Sequence, residues 1–282
     1  MHVLGNWWKT KAIDRVIGLI AGQGELPILF AKAASSLKRE VVTFGVEGQT
    51  DRRVEALSRE THYVRMGELA RLAELLKSSH VKRAVLAGGL PKREIYNPSL
   101  TLDQAAKDLL QQTSNRGDDH LLRAFRFFLK AKCGVSVVDS RVFLKEVLVP
   151  RGVLTRRAPT EEEWKDLRFG RRAAKMVGGL DIGQTVVVKK GVVLAVEAIE
   201  GTDAAIRRGG ELGGEGAVVV KTAKPRQDLR FDLPCVGVET LHSLKAVSSR
   251  VLGLEAGKAL MLFKEEVLRQ ADGEGITIVG LS

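Results

Sequence analysis

Paired cysteines, aromatic residues and long apolar runs are all scarce in this chain. Its two cysteines, Cys133 and Cys235, lie far apart without ligand-like spacing. That argues against a disulfide framework and a zinc site, and favours a reducing cytoplasm. Aromatic residues make up 5% of the 282, so the core must be built from Val, Leu, Ile and Ala. They do not sit like the stacking pairs of an RNA-recognition sheet, and no zinc-finger spacing occurs, so no nucleic acid is expected as a partner. No segment reaches the ~18 apolar residues of a membrane-spanning helix; "VIGLIAGQGELPILF" is broken by Gly, Gln, Glu and Pro. The opening "MHVLGNWWKTKAIDR" lacks the apolar stretch of a secretory signal, so none is expected. Trp7, Trp8, Lys9 and Lys11 there read either as residues for a lipid interface or as a plain leader over residues 1–14. The five histidines are scattered, and no Ser–His–Asp or reactive-cysteine arrangement appears.

What is present is apolar content of 44%, charged content of 28% and a net charge of +11. The first two describe a globular protein long enough for two domains. The third favours an anionic partner: nucleic acid, an acidic membrane face or a phosphorylated substrate. The basic residues are dispersed, not gathered into a tail.

The first half alternates strand and helix patterns. "RVIGLIAG", "EVVTFGV", "THYVRM", "RAVLAGGL" and "VSVVDS" read as strands. Between them come "LPILFAKAASSLKR", a helix starting near Pro27, "GELARLAELLKSS", and "DDHLLRAFRFFLKAKCG". In the last, Asp118 or Asp119 is the expected N-cap and Gly134 the terminator. Such alternation predicts a Rossmann-like domain with a parallel sheet. After Pro150 the texture changes. Thr160 and Glu163 stand at capping-box spacing ahead of one long helix. "TVVVKK" and "VVLAVEA" form a hairpin through Lys189–Gly191, and "GAVVVKTA", "ALMLFK" and "ITIVGL" add strands. The fold class is therefore α/β, with a Rossmann-like domain over residues 1–150 and an α+β domain with a mixed or antiparallel sheet over 151–282.

Several stretches carry candidate chemistry. "LIAGQGELP" puts Gly22 and Gly24 between strand and helix, where backbone N–H groups can receive an anion. The third glycine of the dinucleotide fingerprint is missing, and Glu47 lies where a ribose-binding acid could sit. A phosphate or nucleotide site, a nicotinamide or flavin site and a merely tight turn all stay open there. Gly88 and Gly89 end another strand of the same sheet, and Gly117 with Asp118 and Asp119 precedes a helix. Asp181 and Gln184 stand just ahead of "TVVV"; a turn accounts for the first more readily than the second.

In "VLAVEAIEGTD", Glu197 and Glu200 follow an apolar run along what reads as continuing strand, and Gly201 turns the chain to project Thr202 and Asp203. A carboxylate buried there costs several kcal/mol unless paired. "KTAKPRQDLRFDLP" interleaves Lys221, Lys224, Arg226, Gln227 and Arg230 with Asp228 and Asp232. Cations for phosphate oxygens, and carboxylates for a hard ion such as magnesium, are what attack on a pyrophosphate needs. A solvated loop of salt bridges is the plainer alternative. A nucleotide-cofactor (NAD or FAD) oxidoreductase and a non-catalytic module for anionic glycolipid or nucleic acid are the competing functions.

Five runs carry a resemblance. "GLIAGQGELP", "GDDHLLRAF", "LDIGQTVVVKKGVVLAVEAIEGTD", "VVVKTAKPRQDLRFDLPCVGVETL" and "EAGKALML" resemble the two-domain UDP-2,3-diacylglucosamine pyrophosphatases of lipid A biosynthesis, the family that is not calcineurin-like. The resemblance implies hydrolysis of UDP-2,3-diacylglucosamine to UMP and 2,3-diacylglucosamine 1-phosphate (lipid X), with water attacking the sugar-bearing phosphorus. It also implies a divalent cation, magnesium or manganese, and a homodimer working in the cytoplasm at the inner membrane of a Gram-negative bacterium. The Asp of R-x-D-L-P falls on Asp232, the expected essential acid and metal ligand, with Asp228 second in both roles and Asp203 third among the catalytic acids. The E-G-T-D run falls on Glu200–Asp203, and the substrate-binding set comprises the glycines, amides, acids and cations named above. Departures are Gln23 where the family has glycine, a longer leader, and "SSRVLGLEAG" ahead of the E-A-G run.

Overall fold

The computed structural model describes residues 15–89, 100–112, 118–225, 227–230 and 233–282, with only the backbone at 118 and 119. The leader carrying Trp7, Trp8, Lys9 and Lys11 lies outside them. The chain divides into two compact units, Met1–Lys145 and Glu146–Ser282.

In the first unit, strands β1 (Val16–Ala21), β2 (Glu40–Val46), β3 (Glu60–Val64), β4 (Arg83–Ala87) and β5 (Ser136–Val137) form one parallel sheet in the order β3-β2-β1-β4-β5. Ile17, Leu19, Val41, Val42, Phe44, Ala84 and Val85 are all buried, the near-continuous apolar pattern of strands covered on both faces. Helices α1 (Leu26–Ser36), α2 (Leu69–Ser78), α3 (Gln104–Gln111) and α4 (Asp118–Cys133) complete it. Pro27 sits in the first turn of α1, where its missing N–H costs nothing. Asp103 caps two helices at once, accepting Ala106 N–H of α3 at 2.8 Å and Ala70 N–H of α2 at 2.7 Å. Gly134, at φ +70°, ends α4 as expected.

The second unit holds a six-stranded mixed sheet. Its strands are β6 (Gly152–Val153), β7 (Thr185–Lys189), β8 (Val192–Val196), β9 (Val218–Lys221), β11 (Val251–Glu255) and β13 (Thr277–Leu281), in the order β6-β13-β11-β9-β7-β8. The central β13, β11 and β9 are parallel, whereas β6, β7 and β8 pair antiparallel with their neighbours. "ALMLFK" contributes only Leu260–Met261, β12, which pairs with β10 (Cys235–Val236) in a separate two-stranded sheet. Alternate residues face two cores. Val186, Val188, Val218 and Val220 pack with Leu167 and Ala174 of α5 (Glu161–Gly179). Val187, Val219, Leu252 and Ile278 pack with residues of α6 (Thr202–Gly213), α7 (Val238–Ala246) and α8 (Lys264–Gly273). The period of two therefore buries both faces of one sheet.

The capping box of α5 forms in full: Glu163 N–H donates to Thr160, and Thr160 N–H to Glu163 Oε2 at 2.8 Å. α6 is glycine-rich against its propensity. A methyl group on Gly209 would come within 2.5 Å of Val187, and one on Gly210 within 2.1 Å of Val247. Bare backbone at these positions lets the helix lie close on the sheet.

Candidate functional site

The antiparallel pairing of the second unit brings several chain segments to one edge. Thr185, at the start of β7, pairs with Lys221 at the end of β9, and Val196, at the end of β8, pairs with Val186. The carboxyl edge of β9 thus gathers Gln184, Glu197 and Lys221. Gly201 stands at the N-cap of α6 at φ +86°, and its carbonyl accepts Ala205 N–H at 3.2 Å. Strand β8 ends one residue before Glu197, so the expected extension through Glu200 is replaced by a turn. Two contacts impose it. A methyl group on Gly183 would lie 1.9 Å from Glu197 O, so the 181–184 turn runs hard against this backbone. Glu200 Oε2 accepts Ala198 N–H at 3.1 Å, while Oε1 takes Arg208 at 2.7 Å. Burial tends to raise the Glu200 carboxyl, but these hydrogen bonds outweigh it and hold it below the ordinary range.

The buried Lys221 donates from Nζ to Thr202 Oγ1 at 2.7 Å, and Thr202 donates to Glu197 Oε1 at 2.8 Å. Glu197 is buried, and its second oxygen faces Gln184 N–H at 3.4 Å. The three form a relay of ammonium, hydroxyl and carboxylate at the start of α6, where the free N–H groups of the helix favour negative charge. Buried polar atoms gather along the same edge. Gln184 Oε1, Thr185 Oγ1, Thr222 Oγ1 and Asp181 Oδ2 make no hydrogen bond among the described residues. Such groups are costly in a core without a purpose.

From Lys221 the chain runs through the cation-rich stretch. Lys224 pairs with Asp181, and its N–H donates to Gln227 Oε1 at 2.9 Å. Asp181, at φ +58°, therefore serves both as a turn residue and as the half-buried counter-ion of the buried Lys224. Arg230 folds back on Asp228, with Nε to Oδ1 at 2.7 Å. Asp203 lies in the first turn of α6 and accepts Ser243 Oγ of α7 at 3.1 Å. Asp232 and Arg226 lie outside the described residues. Sequence reasoning missed Glu255 and Lys175, which bond this stretch from β11 and α5. The signal for Glu255 was a charge ending the apolar run "VLGLE"; Lys175 gave none.

The glycine loops of the first unit meet each other at the point where strand order reverses. Gly22 N–H donates to Ala87 O at 2.9 Å and Gln23 N–H to Gly89 O at 2.8 Å. A methyl group on Gly22 would stand 2.4 Å from Gly89 O, and one on Gly88 2.6 Å from Gln23 O. Mutual packing therefore accounts for Gly22 and Gly88. Gly24, at φ +90°, faces open space. Glu47 lines a groove of about 730 Å³ with Tyr63, Arg65, Glu68 and Asp103. Gly117 lies outside the described residues; Asp118 and Asp119 open the backbone of α4.

The second unit is three-layered, with a buried lysine and the start of a helix at one edge of its sheet. Comparison with known proteins gives the family. Residues 16–147 match the LpxI N-terminal domain and residues 150–279 the LpxI C-terminal domain. UDP-2,3-diacylglucosamine pyrophosphatase LpxI of Caulobacter vibrioides is 31% identical over 279 residues, spanning 95% of this chain and 98% of its own. The chain belongs to the LpxI family. Among solved structures, the biotin carboxylase domain of Hydrogenobacter thermophilus 2-oxoglutarate carboxylase aligns at 14% identity and a TM-score of 0.25, covering 62% of this chain and 35% of that one. N5-carboxyaminoimidazole ribonucleotide synthetase from Thermotoga maritima aligns at 16% and 0.24, covering 64% and 40%. Likenesses this faint carry no argument.

Proposed function

We propose that this protein hydrolyses the pyrophosphate bond of UDP-2,3-diacylglucosamine to UMP and 2,3-diacylglucosamine 1-phosphate. The observation that carries the reading is the likeness to the Caulobacter pyrophosphatase across nearly the whole of both chains. The Lys221–Thr202–Glu197 relay supports it with an anion site in the stretch where pyrophosphate chemistry was expected.

In this mechanism Lys221 and the first N–H groups of α6 receive phosphate oxygens. Glu197 orients Thr202, which in turn fixes the lysine. Water attacks the sugar-bearing phosphorus; its oxygen joins the sugar phosphate, and the bridging oxygen leaves with UMP. Magnesium, or manganese in its place, belongs to the same reading. Such ions hold phosphates through one or two carboxylates, a mode that needs no cage of three acids; none forms among the described residues. Asp228, half-buried and held by Arg230, and Asp232 would hold the ion. When bound, it neutralises phosphate charge and lowers the pKa of the attacking water. Asp232 is the proposed essential acid.

A peripheral position at the cytoplasmic face of the inner membrane follows from a diacylated substrate and a net charge of +11. No described helix is long and apolar enough to cross a bilayer. A homodimer is part of the same proposal.

The test is incubation of the purified protein with UDP-2,3-diacylglucosamine and magnesium in ¹⁸O-labelled water. UMP should appear unlabelled and the sugar phosphate labelled. No UMP with either cation sinks the reaction; label in UMP moves the attack to the other phosphorus.

A further inference from the structure

Strand β9 ends at Lys221, and one residue further Thr222 N–H still donates to Gln184 O at 2.9 Å. The backbone of Ala223 is gripped by side chains instead. Its N–H donates to Glu255 Oε2 at 2.9 Å, and its carbonyl accepts Lys175 Nζ at 2.7 Å. Lys175 also donates to the same Glu255 oxygen at 2.6 Å, closing a ring of carboxylate, ammonium and peptide group. Lys258 Nζ reaches the other Glu255 oxygen at 2.9 Å. Glu255 has its side chain 5% exposed and Lys175 23%. A buried pair of this kind is costly to assemble and strongly destabilising to break on one side. An apolar pair would leave the buried Ala223 N–H and carbonyl without partners, so this pair fixes the backbone there as well as carrying charge.

Other contacts tie the same two elements together. A methyl group on Gly178 of α5 would stand 3.2 Å from Lys224 Cα, and Lys224 pairs with Asp181 just past that helix. The end of α5 and the stretch after β9 are therefore linked at Ala223 and at Lys224, directly ahead of Gln227 and Asp228.

We infer that Lys175 and Glu255 form a positioning pair that sets the path of the chain at residues 222–225, and with it Lys224 and the Asp228 that follows, for the reaction. Neither residue touches substrate in this role; each acts through the Ala223 peptide. The inference rests on the proposed hydrolysis for its kinetic part and on geometry alone for its backbone part.

The experiment uses the full-length protein and the variants Glu255→Ala, Glu255→Gln, Lys175→Met and Lys175→Arg. Two quantities are read: steady-state kinetics on UDP-2,3-diacylglucosamine, and hydrogen exchange of peptides covering residues 218–228. Misplacing a reacting group by about 1 Å costs about 10²-fold in rate. Glu255→Ala and Lys175→Met should therefore lower kcat by about 10²-fold with KM changed less than about threefold. Exchange around Ala223 should quicken by about tenfold, the loss of one hydrogen bond worth roughly 1.4 kcal/mol. Glu255→Gln keeps an acceptor for Ala223, and should recover most of both effects. Unchanged kcat, a loss confined to KM, unchanged exchange, or failure of Gln to rescue would each overturn the assignment. Should the Ala and Met variants not fold, Lys175→Arg carries the comparison: its planar guanidinium cannot reproduce the two bonds of the ammonium, so kcat should fall with KM little changed, and wild-type kcat would overturn the assignment. A wild-type protein inactive on this substrate would refute the proposed reaction, and exchange alone would then judge the pair.

Discussion

Lys221 Nζ lies 2.7 Å from Thr202 Oγ1, joining the end of β9 to the first turn of α6. In the proposed reaction this contact builds the anion site. A strand supplies a buried cation, a helix supplies free N–H groups, and one hydroxyl holds them in register. Among the described residues, Thr202 is the hydrogen-bond partner of that ammonium, so further protons remain for phosphate oxygens.

Lys221→Met should lower kcat/KM by about 10²–10³-fold, the usual cost of losing one preorganised charge at a reacting centre. Stability should change by about 1 kcal/mol, because a single hydrogen bond is lost. Lys221→Arg should not restore activity, since a planar guanidinium does not fit a buried ammonium site. Urea denaturation and UMP release measure the two effects. Near wild-type turnover in Lys221→Met removes the relay from the mechanism.

Asp232→Ala should abolish turnover, by about 10³-fold or more, with circular dichroism unchanged. Asp228→Ala should cost less, about 10–10²-fold, because its carboxylate is already engaged by Arg230. Chelation with EDTA should stop wild-type turnover, and added magnesium or manganese should restore it. Turnover insensitive to EDTA would discard the cation; Asp232→Ala turning over like wild type would discard the assigned acid.

Much of this was legible in the chain, and the exceptions share a cause. Thr160 and Glu163 announced the start of α5 because capping is a local matter of three residues. Lys190 and Gly191 announced the β7–β8 hairpin because both need positive φ, which they have at 49° and 75°. Glu197 and Lys221 stood out because charge next to buried strand is conspicuous, and both are buried at the end of the sheet. By contrast, "TDAAIRRGGELG" announced no element, because its three glycines weaken a helix pattern; they stand where Val187, Val247 and Leu194 leave no room for a methyl group. Lys175 and Glu255 are 80 residues apart, and nothing near either one announces the other. At Gly22 a ligand site and a tight turn both stay open in the sequence, and Gly88 reads toward a ligand; the nearest neighbours of each belong to the other's loop.

That last difference is open to measurement. Gly22→Ala should destabilise the protein by about 1–3 kcal/mol, the cost of an overpacked contact, because the new methyl group meets Gly89 O at 2.4 Å. Gly24→Ala meets nothing within 4 Å, and should lose only the roughly 1–2 kcal/mol of a left-handed backbone. Denaturation midpoints decide. Were Gly22→Ala as stable as wild type but inactive, the loop would be serving a ligand after all.

The buried carboxylates give stability a pH dependence with a definite sign. Burial alone would raise the Glu255 carboxyl, but hydrogen bonds from Lys175 and Lys258 outweigh it and hold it below its ordinary 4.5. Glu163 behaves likewise: burial raises it, and Arg157 with the Thr160 backbone lowers it further than that. For both, the unfolded chain takes up a proton before the folded one does. Their contribution is thus fully present above about pH 4.5, and is lost as the pH falls through the depressed folded values. Burial also lowers Lys175, which works on the alkaline side and leaves the acid limb to the carboxylates. Urea midpoints should therefore hold steady from pH 7 to about pH 5 and fall steeply below about pH 4. Glu255→Gln should be less stable than wild type at pH 7, with the gap closing as the pH drops, because both chains are then neutral at that position. A gap that stays constant down to pH 3 would mean that Glu255 contributes through shape and hydrogen bonding alone, not through its charge.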